Sequence, residues 1–316
     1  MKTLVDTMNI VFMAYHMARK QLHDRGEQLT EDTIGFFAHM FFNKVNSIVS
    51  TYENVYFCWE GKGSLSYRKK VFPDYKGNRG AQKDEDEYKV LSGFFKTMEE
   101  ALDHYPIKHI RVSGGEADDA IYALCEKHQD EDITVLSSDG DLTQLTNFFP
   151  KVFVFNPIFK KAAKISPTII QQKAACGDAS DNIPGLYRIG PKTFEKMLND
   201  KEVWDKVMNK DNNQALYETF LSIIDLSAYP VEYHDKVKQQ DEDREFGKFD
   251  PDWLEGFFWD YKMKDMLSRW ETNKSNIWLH LGVQETNKKI EQLNENKPKG
   301  EPLELDELDK IIANFV

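Results

Sequence analysis

Cysteine is scarce in this chain. The three present, Cys58, Cys125 and Cys176, are scattered and odd in number, so they offer neither a disulfide framework nor zinc-ligand spacing. Long apolar runs are also missing. No stretch reaches the roughly 18 apolar residues that a membrane span needs. The chain opens directly on strand-like K-T-L-V-D, so no secretory leader is expected. Unpaired thiols and no membrane segment make a reducing cytoplasm the expected location. Basic residues are outnumbered, 41 against 53 acidic ones, for a net charge of −12. That sum argues at first against a nucleic-acid partner, because phosphates want Lys and Arg. No internal repeat is evident. No Asp-x-Asp pair follows the first strand, where Asp6 is followed by Thr7 and Met8. A phosphatase with an aspartyl nucleophile of the haloacid type is therefore disfavoured.

What is present is a globular composition: 316 residues, 41% of them hydrophobic, enough for one large or two medium domains. Short apolar runs at Lys2–Asp6, Val55–Trp59, Ile107–Val112, Ile133–Leu136 and Val152–Phe155 read as buried strands. Helical patterns lie between them, at roughly Met8–His23, after an N-cap expected at Thr30, and from Asp84 to about His104. Alternating strands and helices predict an α/β fold with a doubly wound, mostly parallel sheet. The core is expected over residues 1–165, with a basic excursion at 61–100. The texture changes after Pro157. A helical domain is expected over 166–295, starting with a helix at Pro167. Helices at Ala215–Leu226 and Trp253–Tyr261 read as core-facing, and the charged stretch Val231–Phe249 as an exposed connection. A linker and tail occupy 296–316.

Acids collect where strands end. Asp6, Glu60 and Asp139 each fall at or just past the carboxyl end of an apolar run, while Glu116, Asp118 and Asp119 open a helix and Asp141 follows Asp139. In open α/β sheets that edge is where ligands sit. Two unit charges 4 Å apart cost about 4 kcal/mol at an effective dielectric near 20, so such a cluster calls for cations. Hard oxygen donors suit Mg²⁺ or Mn²⁺. Helix capping would account for Glu116 or Asp118 alone, but not for Asp139 and Asp141 as well.

Beside the acids lies a basic stretch. From residue 61 to 83 there are seven cations, Lys62, Arg68, Lys69, Lys70, Lys76, Arg79 and Lys83, against one acid, Asp74. Its glycines suggest a mobile excursion over the sheet edge. Tyr67, Phe72 and Tyr75 are interleaved with the cations, a pattern suited to stacking bases while phosphates are held. Further on, Asp178 and Asp181 precede I-P-G-L and I-G-P-K near 183–198, a helix–hairpin–helix pattern. Gly185 and Gly190 would let phosphates approach the backbone. Pro191 would open a helix carrying Lys192 and Lys196, whose N-terminus attracts anions. In the tail, Leu305, Leu308, Ile311, Ile312 and Phe315 fit one helix face, to dock on the body or on a partner.

Taken together, D-T-M-N (6–9), Y-K-G-N-R (75–79), G-G-E-A-D-D (114–119), S-S-D-G-D-L (137–142) and G-D-A-S-D-N-I-P-G (177–185) resemble the flap endonuclease, or structure-specific 5′-nuclease, family. The likeness is greatest to its bacteriophage members, phage-type ribonuclease H included, and covers roughly Lys2–Leu198. It implies a PIN-like nuclease core, a helix–hairpin–helix for duplex DNA, and two-metal hydrolysis of a phosphodiester near a 5′ end. The metal acids it implies are Asp6, Glu60, Glu116, Asp118, Asp119, Asp139, Asp141, Asp178 and Asp181. Lys76 and Arg79 would act on the scissile phosphate, with Tyr75, Arg68, Lys69 and Lys70 beside the strand. A K⁺ ion at the hairpin, DNA or RNA–DNA duplex substrates, a monomeric state and a bacterial cytoplasm are further implications. A sliding clamp or single-strand-binding protein is the partner implied for the tail. Position 60 departs from the family, which usually has Asp there. A single-strand ribonuclease of the PIN type and a catalytically silent junction binder are the rival readings.

Overall fold

In the computed structural model, described for residues 1–80, 85–210 and 212–295, six strands form one sheet in the order β3-β2-β1-β4-β5-β6. The first half of the chain runs β1 (Lys2–Asp6), α1 (Thr7–His23), α2 (Ile34–Val49), β2 (Val55–Cys58), α3 (Ser66–Val71), α4 (Glu85–Leu102), β3 (Ile107–Ile110) and α5 (Ala117–Lys127). It continues through β4 (Ile133–Leu136), α6 (Leu145–Phe148), β5 (Val152–Asn156) and β6 (Lys161–Ala162). Helices follow: α7 (Ile169–Cys176), α8 (Pro191–Asn199), α9 (Lys201–Met208), α10 (Asn213–Ile224), α11 (Val231–Asp243), α12 (Pro251–Asp260), α13 (Lys264–Leu267) and α14 (Trp270–Glu295). The first five strands are parallel, as expected, and the two-residue β6 pairs antiparallel with β5. Among the described residues no helix is long and apolar enough to cross a membrane.

Side chains alternate across the sheet because strand period is two. Val5, Val55 and Phe57 point into a core shared with α1, α2 and α4. Leu4, Tyr56 and Cys58 point into the opposite core, with α5 and α11. After β3 the chain returns to the other side of β1 to lay down β4. The gap between β1 and β4 is thus the topological switch point, where ligands bind in such sheets. Register sets Asp6 beside Cys58 and Val5 beside Leu136, so Glu60 and Asp139 follow at the same edge as Asp6.

The chain after residue 166 is not a single helical body. Helices α7–α10 share a core of their own, into which Tyr75, Leu65 and Phe72 of the basic segment pack. Helices α12–α14 instead return to the sheet: Phe257, Phe258 and Trp270 are buried with Phe42 and Tyr105. The stretch expected as an exposed connection contains α11, packed on α5. Its charged composition hides a face of Tyr233, Val237 and Asp241 at helical spacing, all buried. Asp241 is tolerated because Lys108 Nζ lies 3.0 Å from its carboxylate, Lys127 Nζ 2.9 Å and His128 Nε2 2.8 Å. Two helix starts also differ. Thr33, not Thr30, holds the N-cap position of α2, and its hydroxyl donates to Gln28 O at 2.8 Å instead of capping the helix. Residues 167–168 form a turn and α7 starts at Ile169. The tail expected at 296–316 lies outside the described residues.

Burial pushes the Asp241 carboxyl up, but hydrogen bonds from His128, Lys127 and Lys108 outweigh it and hold the group well below the usual range. A carboxyl depressed in the folded chain contributes stability that is complete above its unfolded value near 4 and is lost as pH falls towards the folded one. Asp241→Asn should lower the unfolding free energy at pH 7 by about 3–5 kcal/mol, the scale of breaking a buried ion pair. Urea denaturation at pH 7 and pH 2.5 should show the gap narrowing at the lower pH.

Candidate functional site

The acidic edge is built from five segments, those at or after the ends of β1, β2, β4 and α7 and the one that opens α5. Asp6 ends β1 and caps α1, accepting from Asn9 N at 3.1 Å and from Ser137 Oγ at 2.9 Å. Ser137 directly follows β4, and its hydroxyl also receives Asp139 N at 3.0 Å. Asn9 reaches the same turn, with its side-chain oxygen accepting from Ser138 N at 3.1 Å and its amide nitrogen donating to Ser138 Oγ at 2.7 Å. Asp139 in turn accepts from Asp141 N at 2.8 Å. The strands therefore do not simply end in acids. Asn9, Ser137 and Ser138 stitch the end of β1 to the turn after β4. Sequence reasoning missed all three, although they stand inside the D-T-M-N and S-S-D-G-D-L motifs.

Burial pushes the Asp6 carboxyl up to about 6; the bonds from Asn9 and Ser137 oppose it, and the charges of Asp139 and Glu60 add to it. Burial also pushes Asp118 well above the usual carboxylate range, reinforced by Asp139 and Asp6. Asp6, Glu60, Asp118 and Asp139 are thus one electrostatic group. A second group consists of Asp141, Asp178 and Asp181, which can bring one carboxylate oxygen each within 4.8 Å of one another. Lys173, on the last turn of α7, bonds both Asp141 and Asp178, the latter at 2.5 Å. Burial pushes Asp178 up, and the bonds from Lys173 and Ser180 more than offset it.

Glu116 sits beside the second group and is held by cations. One oxygen bonds Lys76; the other accepts from Arg68 Nη1 at 3.0 Å and Tyr75 OH at 2.9 Å. Lys76 also lies 3.7 Å from Asp181. Burial pushes Glu116 up, but Lys76 and Arg68 pull it below the usual range. Asp119 is different from its neighbours. It is 0% exposed and bonds Arg68 twice, at 2.8 and 2.6 Å, while accepting Glu116 N at 2.9 Å. Both its oxygens are committed inside the protein, where the sequence suggested a metal ligand.

The basic segment is fastened rather than mobile through residue 78. Arg68, expected on a phosphate, is 3% exposed; it also donates to Ile223 O of α10 at 2.8 Å. Tyr75, expected to stack on a base, is 2% exposed and stands in the core of α7–α10. Tyr67 and Phe72 pack on Tyr229 and Phe220. These rings anchor the segment, because an aromatic beside a deep apolar cluster gains more from burial than from solvent. Lys69 and Lys70 remain exposed on α3. Arg79 lies in a 3-10 turn, Gly77–Gly80, and its side chain lies outside the described structure, as does Lys83.

Pro191 opens α8 as expected, after Gly190 at the N-cap, and Lys192 and Lys196 are exposed. A Cβ on Gly190 would meet nothing within 4 Å. Gly185 serves the interior instead. At φ +69°, a Cβ there would stand 2.3 Å from Gly177 N, so this glycine lets the hairpin close on the end of α7.

The donors are all hard oxygens, Asp139 raises the pKa of both Asp6 and Asp118, and Lys76 and Lys173 each bridge neighbouring carboxylates. The chemistry of the set therefore fits divalent metals. The model of the 5′-3′ exonuclease N-terminal resolvase-like domain matches residues 1–175. A 5′-3′ exonuclease of Bacillus subtilis is 30% identical over 260 residues, covering 74% of this chain and 83% of that protein. DNA polymerase I of Streptococcus pneumoniae is 31% identical over 212 residues, 62% of this chain but 23% of the polymerase. Among solved structures, the T5 5′-exonuclease with divalent zinc ions bound has a TM-score of 0.55 at 20% identity, over 76% of this chain and 98% of that one. The site and fold define a nuclease of the PIN-like α/β type. The chain belongs to the 5′-3′ exonuclease family, which includes the flap endonucleases.

A carboxyl raised in the folded chain, such as Asp6, contributes stability below its unfolded value near 4 and loses it as pH rises through about 6. Bound divalent ions favour the ionised form. Millimolar Mg²⁺ should therefore raise Tm more at pH 8 than at pH 5. A thermal-shift series at both pH values checks this; equal rises would show that these acids do not take up the ion.

Proposed function

We propose that the protein is a structure-specific, metal-dependent 5′-3′ exonuclease and flap endonuclease. Its substrates are DNA and RNA–DNA duplexes with 5′ ends or flaps, and its role is removal of RNA primers or flaps in DNA replication of the phage type. The carrying observation is the convergence of Asp6, Asp118 and Asp139 on one sheet edge, where the charge of Asp139 disfavours ionisation of both Asp6 and Asp118. Such an edge is of use only with cations on it. Asp6, Glu60, Asp118 and Asp139 would hold one Mg²⁺ or Mn²⁺ ion, and Asp141, Asp178 and Asp181 a second, with Glu116 between them. Two divalent ions bound there supply nucleophile activation and charge neutralisation at the leaving oxygen.

The protein's own part is positioning. Lys76, 8% exposed at its side chain and within reach of both Glu116 and Asp181, is placed to stabilise charge on a scissile phosphate. Arg79 has the same role in this reading. Exposed Lys69 and Lys70 guide the 5′ strand, and Lys192 and Lys196 with the α8 N-terminus hold the duplex. Asp119 and Arg68 act together as a clamp that orients Glu116. Products carry 5′-phosphate and 3′-hydroxyl ends. A K⁺ ion at the hairpin, and a clamp or single-strand-binding partner for the tail, complete the reading.

Asp139→Asn should abolish Mg²⁺-dependent cleavage of a doubly end-labelled 5′-flap duplex while its affinity for that duplex stays within about threefold of wild type. Retained turnover would remove Asp139 from the site, and loss of cleavage in the wild type itself would favour a junction binder. Lys76→Ala should slow the single-turnover step by about 10²–10³-fold, the scale of losing one stabilising donor. A rate within threefold of wild type would count against its role. Relative rates on a matched RNA-primed duplex rank primer removal against flap cutting.

A further inference from the structure

Two turns, about a hundred residues apart in the chain, exchange side-chain amides beside the acidic edge. The first, 74–78, lies at the base of the basic segment. The second, 178–183, carries Asp178 and Asp181. Asn78 Nδ2 donates to Ala179 O at 2.8 Å, and Asn182 Nδ2 donates to Asp74 O at 2.8 Å. Between these two bonds, Lys76 N donates to Asp181 O at 2.9 Å. Each turn is also closed on itself. Asp74 O accepts Gly77 N at 2.9 Å, and Asp178 and Ile183 exchange a pair of backbone bonds at 2.8 Å.

Each turn contains one left-handed residue, with φ +52° at Lys76 and φ +58° at Asn182. Asn visits that region with little difficulty. A long side chain such as Lys stays there only when its surroundings over-determine it. At Lys76 the surroundings are the exchanged amides and the Asp181 carbonyl. The consequence is directional: the left-handed turn brings the Lys76 ammonium onto Glu116 and towards Asp181. A right-handed or extended residue 76 would redirect the chain after it and break the Gly77 N bond to Asp74 O and the Asn78 bond to Ala179 O.

We propose that Asn182 and Asn78 are positioning residues that form a two-amide latch. The latch holds Lys76 in its left-handed turn over the acidic edge. It thereby ties the grip on the 5′ strand to the loop that carries Asp178 and Asp181. The inference rests on the role given to Lys76 above, and it assigns no contact between either asparagine and substrate.

The test is a double-mutant cycle on single-turnover cleavage of a 5′-flap duplex, with enzyme and Mg²⁺ saturating. The variants are Asn182→Gly, Lys76→Ala and the two combined. Glycine accepts the positive φ at 182, so only the amide is lost. Asn182→Gly alone should slow cleavage roughly 10–100-fold, the scale of misplacing a catalytic group by about an ångström. In the Lys76→Ala background the same change should cost less than about twofold, because a residue acting through Lys76 has nothing left to position. A purely structural role would lower both backgrounds equally, and additive losses therefore overturn the proposal. So does a wild-type rate for Asn182→Gly beside a slow Lys76→Ala. A wild-type rate for Lys76→Ala instead defeats the role of Lys76, and the latch with it. Asn78→Ala, on an exposed turn, repeats the cycle from the other amide if Asn182→Gly fails to fold, with the same non-additivity expected.

Discussion

Repulsion among carboxylates governs this structure. Asp6, Glu60, Asp118 and Asp139 meet at the switch point of the sheet, and Asp141, Asp178 and Asp181 meet beside it. At a separation of 4 Å, each such pair costs about 4 kcal/mol at an effective dielectric near 20. The chain answers with its own cations. Arg68 is buried against Asp119 and Glu116, Lys76 bridges Glu116 and Asp181, and Lys173 bridges Asp141 and Asp178. Asp6, Asp118 and Asp139 are the group left most repelled, and there burial pushes two pKa values upward. The net charge of −12 therefore says little about substrate. A group of acids is concentrated on one edge, while Lys69, Lys70, Lys192 and Lys196 are exposed.

The sheet and the acids were legible because both rest on short-range rules. A β-branched run such as Ile133–Leu136 is a buried strand by composition, and the strand end then fixes where Asp139 falls. Spacing also carried Pro191 to the first position of α8. What was not legible depends on partners far away in sequence. Arg68 and Tyr75 read as a cation and a ring available to nucleic acid, yet their partners Asp119, Ile223 and Glu116 draw them inside. Nothing local distinguishes a stacking tyrosine from an anchoring one. The α11 stretch failed for a similar reason. Its mean composition is polar, and only its pairing of Asp241 with Lys108, Lys127 and His128 makes the face buriable.

The same long-range packing explains the division of the helices. A helix joins whichever apolar surface its own stripe fits, not the neighbour that precedes it in sequence. Phe257, Phe258 and Trp270 complete the layer over α2, where Phe42 is already flanked by Tyr105. The α7–α10 group is joined to the sheet both through the basic segment, where Tyr75 and Phe72 enter its core and Arg68 reaches its backbone, and through the turn after β4, where Gln144 bonds Ile224 O. The segment next to the site is thus also one of the joints between the two packed bodies.

Strand order has a consequence for how the molecule comes into being. β1 leaves the ribosome before the other strands of the sheet, yet it is a central strand whose second neighbour is β4. Until residue 136 has been made, one side of β1 lacks its hydrogen-bonding partner, an interval on the order of ten seconds at ordinary rates of synthesis. The last acids of the edge, Asp178 and Asp181, arrive later still. A growing chain therefore has no complete acidic edge until Asp181 has been translated.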